Sequence, residues 1–206
     1  MQPFTTLTGV AAPLLRANTD TGTIIASRFM RSRSIDLGEK LFSDWRYTMD
    51  GAENPDFVLN QEPYRRARIL LGGLNFGCGS SREAAVYALM KFGITCVIAP
   101  SFGEIFFDNA CQNGLLPIEL PEAVVHALAE SVQRANSAEL TVDLLAGRIT
   151  TQQAETIAFS LAEDRRTALL EGLDETELVL RHSEDIDAFR MSDRQSRPWL
   201  YERHAP

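Results

Sequence analysis

The chain has 206 residues, 45% of them hydrophobic, and a formal net charge of −8. This composition can bury a sizeable core within one domain, and the negative charge argues against nucleic acid and anionic membrane surfaces as partners. We find no signal-peptide pattern at the N-terminus and no apolar run near the ~20 residues that span a bilayer, so we expect a cytoplasmic protein.

Cysteine and histidine, two of the usual catalytic and metal-binding residues, are scarce in this chain. The three cysteines, Cys78, Cys96 and Cys111, are odd in number and lack C-x-x-C or histidine-rich spacing. A disulfide framework and a self-contained zinc or iron–sulfur site are therefore not expected. The chain also has only three histidines, so any catalysis here would draw part of its machinery from another chain.

The first part of the chain predicts a strand, a turn and a basic segment. Residues 4–15 alternate loosely between apolar and small side chains and predict an opening strand. Asn18 to Gly22 has the composition of a turn, because Asn and Asp bond their own backbone and Gly supplies a positive φ. The segment Phe29 to Arg33 is basic within an acidic chain. It is either a solvated surface loop or a loop that carries cations to an acidic substrate.

Residues 38–63 predict short helices and loops, because glycine and proline recur there and interrupt any long element. Large aromatic side chains are spaced through the segment. We expect them to pin it to the core and assign a structural role to Phe42, Trp45 and Phe57.

A glycine-rich turn between a strand and a helix is the most informative feature. The apolar run Ile69 to Leu74 predicts the strand, and helical spacing of apolar residues follows the turn. Ser80 and Glu83 have the spacing of a capping box, which predicts that Ser80 caps the helix N-terminus. The free N–H groups of a helix N-terminus favour an anion, and Arg82 in the first turn would be stabilised by one. The turn is therefore either a carboxylate or phosphate site, or a capped helix beside a solvated arginine.

The strand–helix pattern then repeats. Residues 95–99 predict a strand, Ser101 and Glu104 predict a second capping box before a helix over residues 105–111, and residues 115–120 predict another strand. This β-α-β-α-β order implies a parallel sheet with right-handed crossovers. Ligands of such sheets bind beyond the carboxyl ends of the strands, where the turn at Ser80 is expected to lie.

The rest of the chain alternates between helices and short strands. We predict a helix over residues 121–135, antiparallel strands over 140–145 and 149–159, a helix over 160–170, a short strand over 178–180 and a helix from about 184 to 191. From Ser192 onward no pattern is present, and this tail is expected to be mobile or used in assembly. We therefore predict a single domain over residues 1–191, followed by a tail over residues 192–206.

Five segments of the chain carry a resemblance to a known family. They are Asp44-Trp45-Arg46, Asn54 to Asn60, Asn75 to Glu83, Val97 to Phe102 and Asn113 to Ile118. In this order they resemble the swivel domain of the aconitase superfamily and, within it, the small subunits of 3-isopropylmalate dehydratases. Several matching segments in the right order are far more specific than one glycine-rich turn.

The resemblance implies a fold, a reaction and a division of labour. The fold is α/β, the swivelling β/β/α domain of the aconitase type, with a mostly parallel central sheet and flanking helices. The reaction is the isomerisation of 2- and 3-isopropylmalate, small dicarboxylates of leucine biosynthesis, by removal and re-addition of water. Activity then requires a large subunit whose cysteines hold a 4Fe–4S cluster, and this chain carries no cofactor of its own.

The resemblance also implies roles for particular residues. Ser80, the first serine of the Gly-Ser-Ser-Arg motif, is implied to be the general base, and Ser81 and Arg82 are implied to hold a substrate carboxylate. The specificity loop of the family falls on Ser27 to Arg33, where Arg31 is the candidate for binding the distal carboxylate. A serine alkoxide is normally inaccessible near neutral pH, but N–H donors, a helix dipole, Arg82 and a closed site all favour the anion.

Several positions depart from the family pattern. Gly22 stands where the family has the second Asp of a D-T-D-type segment, unless a two-residue insertion places Asp20 there, and both alignments stay open. Ala26 replaces a usual proline and Ala84 a usual histidine. A paralogue acting on a citramalate- or homocitrate-like 2-hydroxy diacid, or a non-catalytic anion-binding or assembly subunit, is therefore an alternative.

Overall fold

The structure, a computed structural model, describes residues 1–30, 35–134 and 137–201. These residues form two compact units, and the boundary between the units follows Gly172. The first unit contains a seven-stranded sheet with helices, and the second is helical where it is described. No helix among the described residues is long and apolar enough to cross a membrane.

The strands all belong to the first unit. They are Thr6–Leu14 (β1), Ile69–Gly72 (β2), Cys96–Ala99 (β3), Leu116–Glu119 (β4), Glu139–Asp143 (β5), Arg148–Thr151 (β6) and Thr156–Ala158 (β7). The helices of that unit are Thr21–Ile24 (α1), Ser43–Arg46 (α2), Glu83–Phe92 (α3), Glu104–Asn113 (α4), Glu122–Arg134 (α5) and Glu163–Glu171 (α6). Short 3₁₀ turns cover Ser27–Phe29, Val58–Asn60 and Tyr64–Arg66.

The sheet has the strand order β4-β3-β2-β1-β5-β6-β7. The pairings among β1, β2, β3 and β4 are parallel, and those that join β1 to β5, β6 and β7 are antiparallel. The predicted β-α-β-α-β unit is confirmed as β2-α3-β3-α4-β4. The mixed α/β class is also confirmed, although parallel pairing covers only one half of the sheet.

Two hydrophobic cores lie on opposite faces of this sheet, because successive strand residues point to opposite sides. On β2, Ile69 and Leu71 join one core, with Leu128 of α5, whereas Leu70 joins the other, with Leu89 of α3. Parallel strands covered on both faces are apolar throughout, which is why β2 and β3 are continuous apolar runs in the sequence. The carboxyl ends of these strands are thereby held in fixed positions.

Two predictions in the C-terminal half are wrong. The strand expected over residues 149–159 is a hairpin of β6 and β7, closed by a turn in which Ala154 has φ +63° and Thr151 N donates to Glu155 O at 3.0 Å. The strand expected at Leu178 to Leu180 is the end of a helix, Glu175–Leu180 (α7). Asp174 and Glu177 form a capping box there, with both hydrogen bonds at 2.8 Å, and this fixes the helix start.

The second unit continues with helix Ser183–Ser196 (α8) and a 3₁₀ turn at Pro198–Leu200. The helix expected to end near residue 191 therefore continues past Ser192. Asp193 is buried within this unit and accepts hydrogen bonds from Arg197 and from the Tyr201 hydroxyl, the latter at 2.7 Å. An assembly role for the tail from Ser192 stays a prediction.

The segment between β1 and β2 is pinned as expected by its aromatic side chains. Phe42 and Trp45 stack with ring centroids 5.7 Å apart, and Phe57 lies 6.1 Å from Trp45. In the same segment Arg46 is only 7% exposed, and its Nε donates to Asn60 Oδ1 at 3.2 Å. Burial lowers the pKa of Arg46.

Replacing Asn60 by alanine should therefore destabilise the fold strongly. Asn60 is 6% exposed, and its amide nitrogen also donates to the carbonyls of Arg46 and Asn54 at 2.7 and 2.9 Å. Leaving buried polar groups without partners costs about 1–3 kcal/mol for each group. Asn60→Ala should lower the free energy of unfolding, measured in urea, by at least that amount. The exposed neighbour variant Gln61→Ala should cost much less, and equal losses would contradict this role of Asn60.

Candidate active site

The candidate site lies beyond the carboxyl ends of β1, β2 and β3, where three loops meet. Two isolated bridges extend the parallel sheet past these ends. Asp20 in the loop after β1 pairs with Cys78 in the loop after β2, and Phe76 pairs with Phe102 in the loop after β3. The glycine-rich turn is therefore the middle of three adjacent segments, because β2 lies between β1 and β3.

Backbone hydrogen bonds join the turn to the loop after β1. Gly77 N donates to Thr19 O at 2.7 Å, and Thr21 N donates to Cys78 O at 3.0 Å. Both bonds are as short as those of a regular sheet. The turn is thus part of an extended ladder and is held along its length.

Two glycines in the turn have a positive φ. At only one of them would an added side chain also collide with a neighbouring residue. Gly77 has φ +73°, and a Cβ added there would lie 2.2 Å from Phe106 Cγ. Gly79 has φ +86°, and a Cβ there would meet only the Asp20 Cβ, at 3.4 Å. Gly77 therefore lets the turn lie directly on the Phe106 ring, whereas Gly79 supplies the reversal of the backbone.

Ser80 is exposed on this turn and does not cap the helix. α3 begins at Glu83 with Arg82 as its N-cap residue, and no side chain caps it. The predicted Ser80–Glu83 capping box is wrong because the backbone at Arg82 is still extended, which moves the helix start away from Ser80. The Glu83 carboxylate instead accepts hydrogen bonds from the Tyr87 hydroxyl at 2.9 Å and from Asn113 Nδ2 at 3.1 Å.

The second predicted capping box is wrong for a similar reason. α4 begins at Glu104 with Gly103 as its N-cap residue, again without a side-chain cap. The Ser101 hydroxyl oxygen instead accepts a hydrogen bond from Asn75 N at 2.9 Å. The residue expected to cap α4 therefore stabilises the start of the glycine-rich turn.

Arg82 reaches back to the loop after β1. Its Nη1 donates to Ile25 O at 2.9 Å, and its side chain is partly buried. A Cβ added to Gly22 would lie 3.2 Å from Arg82 Nη1 and 2.8 Å from Asp20 Oδ1. Glycine at position 22 therefore leaves room for the guanidinium group beside the Asp20 carboxylate.

Asp20 caps α1, whose first residue follows it. Its Oδ1 accepts hydrogen bonds from Gly22 N at 2.7 Å and from Thr23 N at 3.0 Å, and its Oδ2 accepts one from the Thr23 hydroxyl at 2.7 Å. Burial raises the pKa of Asp20, but the hydrogen bonds from Thr23 and Gly22 outweigh it, so the pKa is lower than usual. Asp20 is thus a charged capping residue at the edge of the site.

The cysteines do not form a metal site. Cys96 and Cys111 are buried in the core, and burial raises the pKa of both thiols, that of Cys111 to about 12. Cys78 lies in the turn, where burial and then the Asp20 carboxylate raise its pKa. Within residues 1–30, 35–134 and 137–201, no group of three His, Cys, Asp or Glu side chains is placed to hold a metal ion.

Three of the four predicted site residues are adjacent in the sequence, and the structure describes them. Ser80, Ser81 and Arg82 follow one another between the turn and α3, at the carboxyl end of β2. Arg31 lies outside the described residues, so its place in the site stays a prediction.

Sequence reasoning missed the side chains that shape the turn. Asn18 and Asn75 both have a left-handed backbone, with φ of 55° and 57°. Asparagine tolerates this conformation better than other non-glycine residues, so an Asn inside a turn is the available signal. The side chains of Asn18 and Asn75 bond to each other and so join two loops. The sequence signal is not specific enough to identify which loops these are.

Comparison with known proteins agrees with this architecture. Residues 1–123 match the family model of the aconitase C-terminal domain. The crystal structure of 3-isopropylmalate dehydratase from Methanocaldococcus jannaschii superposes with a TM-score of 0.62 at 24% identity, covering 90% of this chain and 99% of that one. The fold and site thus define the class as an aconitase-type swivel domain.

Relatives with higher identity narrow the class further. The chain is 52% identical to the 3-isopropylmalate dehydratase small subunit of Rhodospirillum centenum, over 97% of this chain and 98% of that one. It is 50% identical to the small subunit of the same name from Paramagnetospirillum magneticum, over 97% of this chain and 100% of that one. The chain therefore belongs to the 3-isopropylmalate dehydratase small-subunit family, and the resemblance seen in the sequence is confirmed.

The contact between Gly77 and Phe106 gives a direct test of the turn. Gly77→Ala adds a methyl group to a site with no space and forces a left-handed alanine, which together cost roughly 2–5 kcal/mol. Gly51→Ala is the matched control, because Gly51 has φ +84° but nothing within 4 Å of an added Cβ. It should cost only about 1–2 kcal/mol. Equal losses in urea unfolding would show that the Phe106 contact does not constrain the turn.

Proposed function

We propose that this chain is the small subunit of a 3-isopropylmalate dehydratase, a hydro-lyase of leucine biosynthesis. The proposal rests on family membership over almost the whole chain and on the arrangement of Ser80, Ser81 and Arg82. In this role the chain takes part in the interconversion of 2- and 3-isopropylmalate by removal and re-addition of water.

The observation that carries the catalytic part of the proposal is that the Ser80 hydroxyl forms no hydrogen bond with the residues that the structure describes. A serine that caps a helix has its oxygen engaged by backbone N–H groups. Ser80 is instead exposed on a turn that is bonded to both neighbouring loops, and α3 has no side-chain cap. Its hydroxyl is available to act on a substrate.

We assign to Ser80 the role of general base, which removes a proton from the carbon beside a substrate carboxylate. A serine hydroxyl keeps its proton near neutral pH unless the anion is stabilised. α3 begins at Glu83, so its unpaired N–H groups and positive end lie within three residues of Ser80. Arg82 adds a full positive charge, and enclosure by a large subunit would exclude water and strengthen both effects.

Arg82 and Ser81 are suited to hold a carboxylate. Arginine has five N–H donors in a planar fork. Among the described residues, Arg82 donates one hydrogen bond, to Ile25 O, which anchors it to the loop after β1. The remaining donors match the two oxygens of a carboxylate. We assign the distal carboxylate to Arg31, which follows the 3₁₀ turn at Ser27–Phe29 by two residues.

The rest of the machinery belongs to a partner in this proposal. The name of the relatives, small subunit, implies a large-subunit partner. We assign a 4Fe–4S cluster to that large subunit, where it would supply a Lewis acid for the leaving hydroxyl group. The complex is proposed to work in the cytoplasm on a small dicarboxylate.

Replacing Ser80 by alanine should abolish turnover without destabilising the fold. Loss of a general base lowers kcat by about 10²–10⁴-fold. Because Ser80 caps no helix, Ser80→Ala should change the free energy of unfolding by less than ~0.5 kcal/mol, as at other surface positions. Both quantities are measured, with kcat determined for the complex with the large subunit.

Ser160 provides a matched control for this variant. It is an exposed loop serine that stands three residues before the first residue of α6, as Ser80 stands three residues before the first residue of α3. Ser160→Ala should leave both kcat and stability unchanged. Parental turnover in the Ser80→Ala complex would reject Ser80 as the base. A parental complex that turns over none of the 2-hydroxy diacids would instead support the non-catalytic alternative.

Replacing Arg31 by alanine should change which substrates are accepted. If Arg31 pairs with the distal carboxylate, Arg31→Ala should raise KM and reduce kcat/KM by an amount equivalent to roughly 2–4 kcal/mol. Arg28→Ala is the control. Arg28 forms an exposed ion pair with Asp44, and such pairs contribute little to the stability of the fold. Assays with isopropylmalate, citramalate and homocitrate identify the substrate. Unchanged kinetics for Arg31→Ala would support the other interpretation of this segment, a solvated surface loop.

A further inference from the structure

Two asparagines join the loop after β1 to the glycine-rich turn. Asn75 Nδ2 donates a hydrogen bond of 2.8 Å to Asn18 Oδ1, across 57 residues of sequence. Both residues have a left-handed backbone, which is uncommon outside glycine. Two unusual backbone positions are thus occupied by side chains that bond to each other.

The pair lies at the start of the backbone ladder that holds the turn. Asn18 N donates to Leu74 O at 2.8 Å, next to the side-chain bond. On its other side, Asn75 N donates to the Ser101 hydroxyl oxygen at 2.9 Å. Asn75 is therefore bonded to the loops after both β1 and β3.

Global stability does not explain this arrangement. The side-chain bond is exposed to solvent, where water competes with it, so its net contribution to folding is small. Its geometric effect is larger, because it fixes the spacing of two loops. One loop leads to Ile25, which anchors Arg82, and the other carries Ser80.

We propose that Asn18 and Asn75 form a positioning clamp, which holds the Ser80 turn in register with the loop that anchors Arg82. The inference rests on the proposed function, because it concerns the relative placement of a base and a carboxylate-binding group. Neither asparagine is required to touch the substrate. A displacement of about 1 Å between such groups can reduce a rate about 100-fold.

The chemistry of the amide group allows the pairing itself to be tested. In Asn18→Asp the new carboxylate still accepts a hydrogen bond from Asn75. In Asn75→Asp the Asn18 amide can turn over and donate instead, because each amide has both a donor and an acceptor. Only the double variant places two carboxylates together without a donor. Asp has nearly the same shape as Asn and also tolerates a left-handed backbone.

Four proteins are compared in complex with the large subunit: the parental chain, the two single variants and the double variant. The clamp predicts that each single variant keeps kcat within a few-fold of parental, whereas the double variant loses about 100-fold in kcat with a smaller change in KM. Gln152→Glu/Gln153→Glu is the control, because it adds two carboxylates at exposed amides in the turn between β6 and β7. It should leave kcat unchanged.

Amide hydrogen exchange on the chain alone measures the clamp without any activity. In the double variant the N–H groups of Gly77 and Thr21 should exchange about tenfold faster, whereas those of β3 should not change. Unchanged exchange or parental kcat in the double variant would overturn the clamp. Single variants as impaired as the double would also overturn it. A parental complex without turnover contradicts the proposed function. In that case amide hydrogen exchange still tests whether the two asparagines form the clamp.

Glycine variants keep the test informative if the double aspartate variant does not fold. Glycine adopts a left-handed backbone freely but has no amide group. Asn18→Gly and Asn75→Gly should each reduce kcat as much as the two together, because either one removes the whole bond. Additive losses would contradict a paired action.

Discussion

The geometry of the candidate site depends on the hydrogen-bonded ladder that holds residues 74–78 between two neighbouring loops. Gly77 donates to the loop after β1, Phe76 donates to the loop after β3, and the Phe106 ring lies where a side chain at Gly77 would be. If the turn were bonded on one edge only, its backbone could move together with its solvent-exposed side chains. Bonded on both edges, residues 74–78 fix the backbone that leads into Ser80, although Ser80 itself is exposed.

The sheet beneath explains why this ladder exists. β1, β2 and β3 are parallel neighbours, so their carboxyl ends meet at one edge and the three following loops begin side by side. Cores on both faces of the sheet fix the strand ends. A platform of this kind suits the proposed function, in which this chain would contribute a base and an arginine and a large subunit would contribute the metal chemistry. It brings polar groups to one edge without requiring a deep pocket within a single chain.

The sequence predicts the β-α-β-α-β unit and the glycine-rich turn after its first strand correctly, because apolar runs that end in glycines are local signals. Side-chain caps are harder to predict. Ser80, Ser101 and Asp174 each precede a glutamate by three residues, but only Asp174 forms a capping box. The Ser101 hydroxyl instead accepts a hydrogen bond from Asn75, a partner 26 residues away in sequence. Spacing alone cannot distinguish these cases, because tertiary contacts decide where each helix begins.

The most direct test is a crystal structure of the assembled complex with a bound substrate analogue. If Ser80 is the general base, its Oγ should lie roughly 3–3.5 Å from the carbon that loses its proton. Arg82 should contact a carboxylate of the analogue while keeping its bond to Ile25. A complex in which Ser80 Oγ instead accepts from an N–H group in the first turn of α3 and faces away from the ligand would show that Ser80 is not the base.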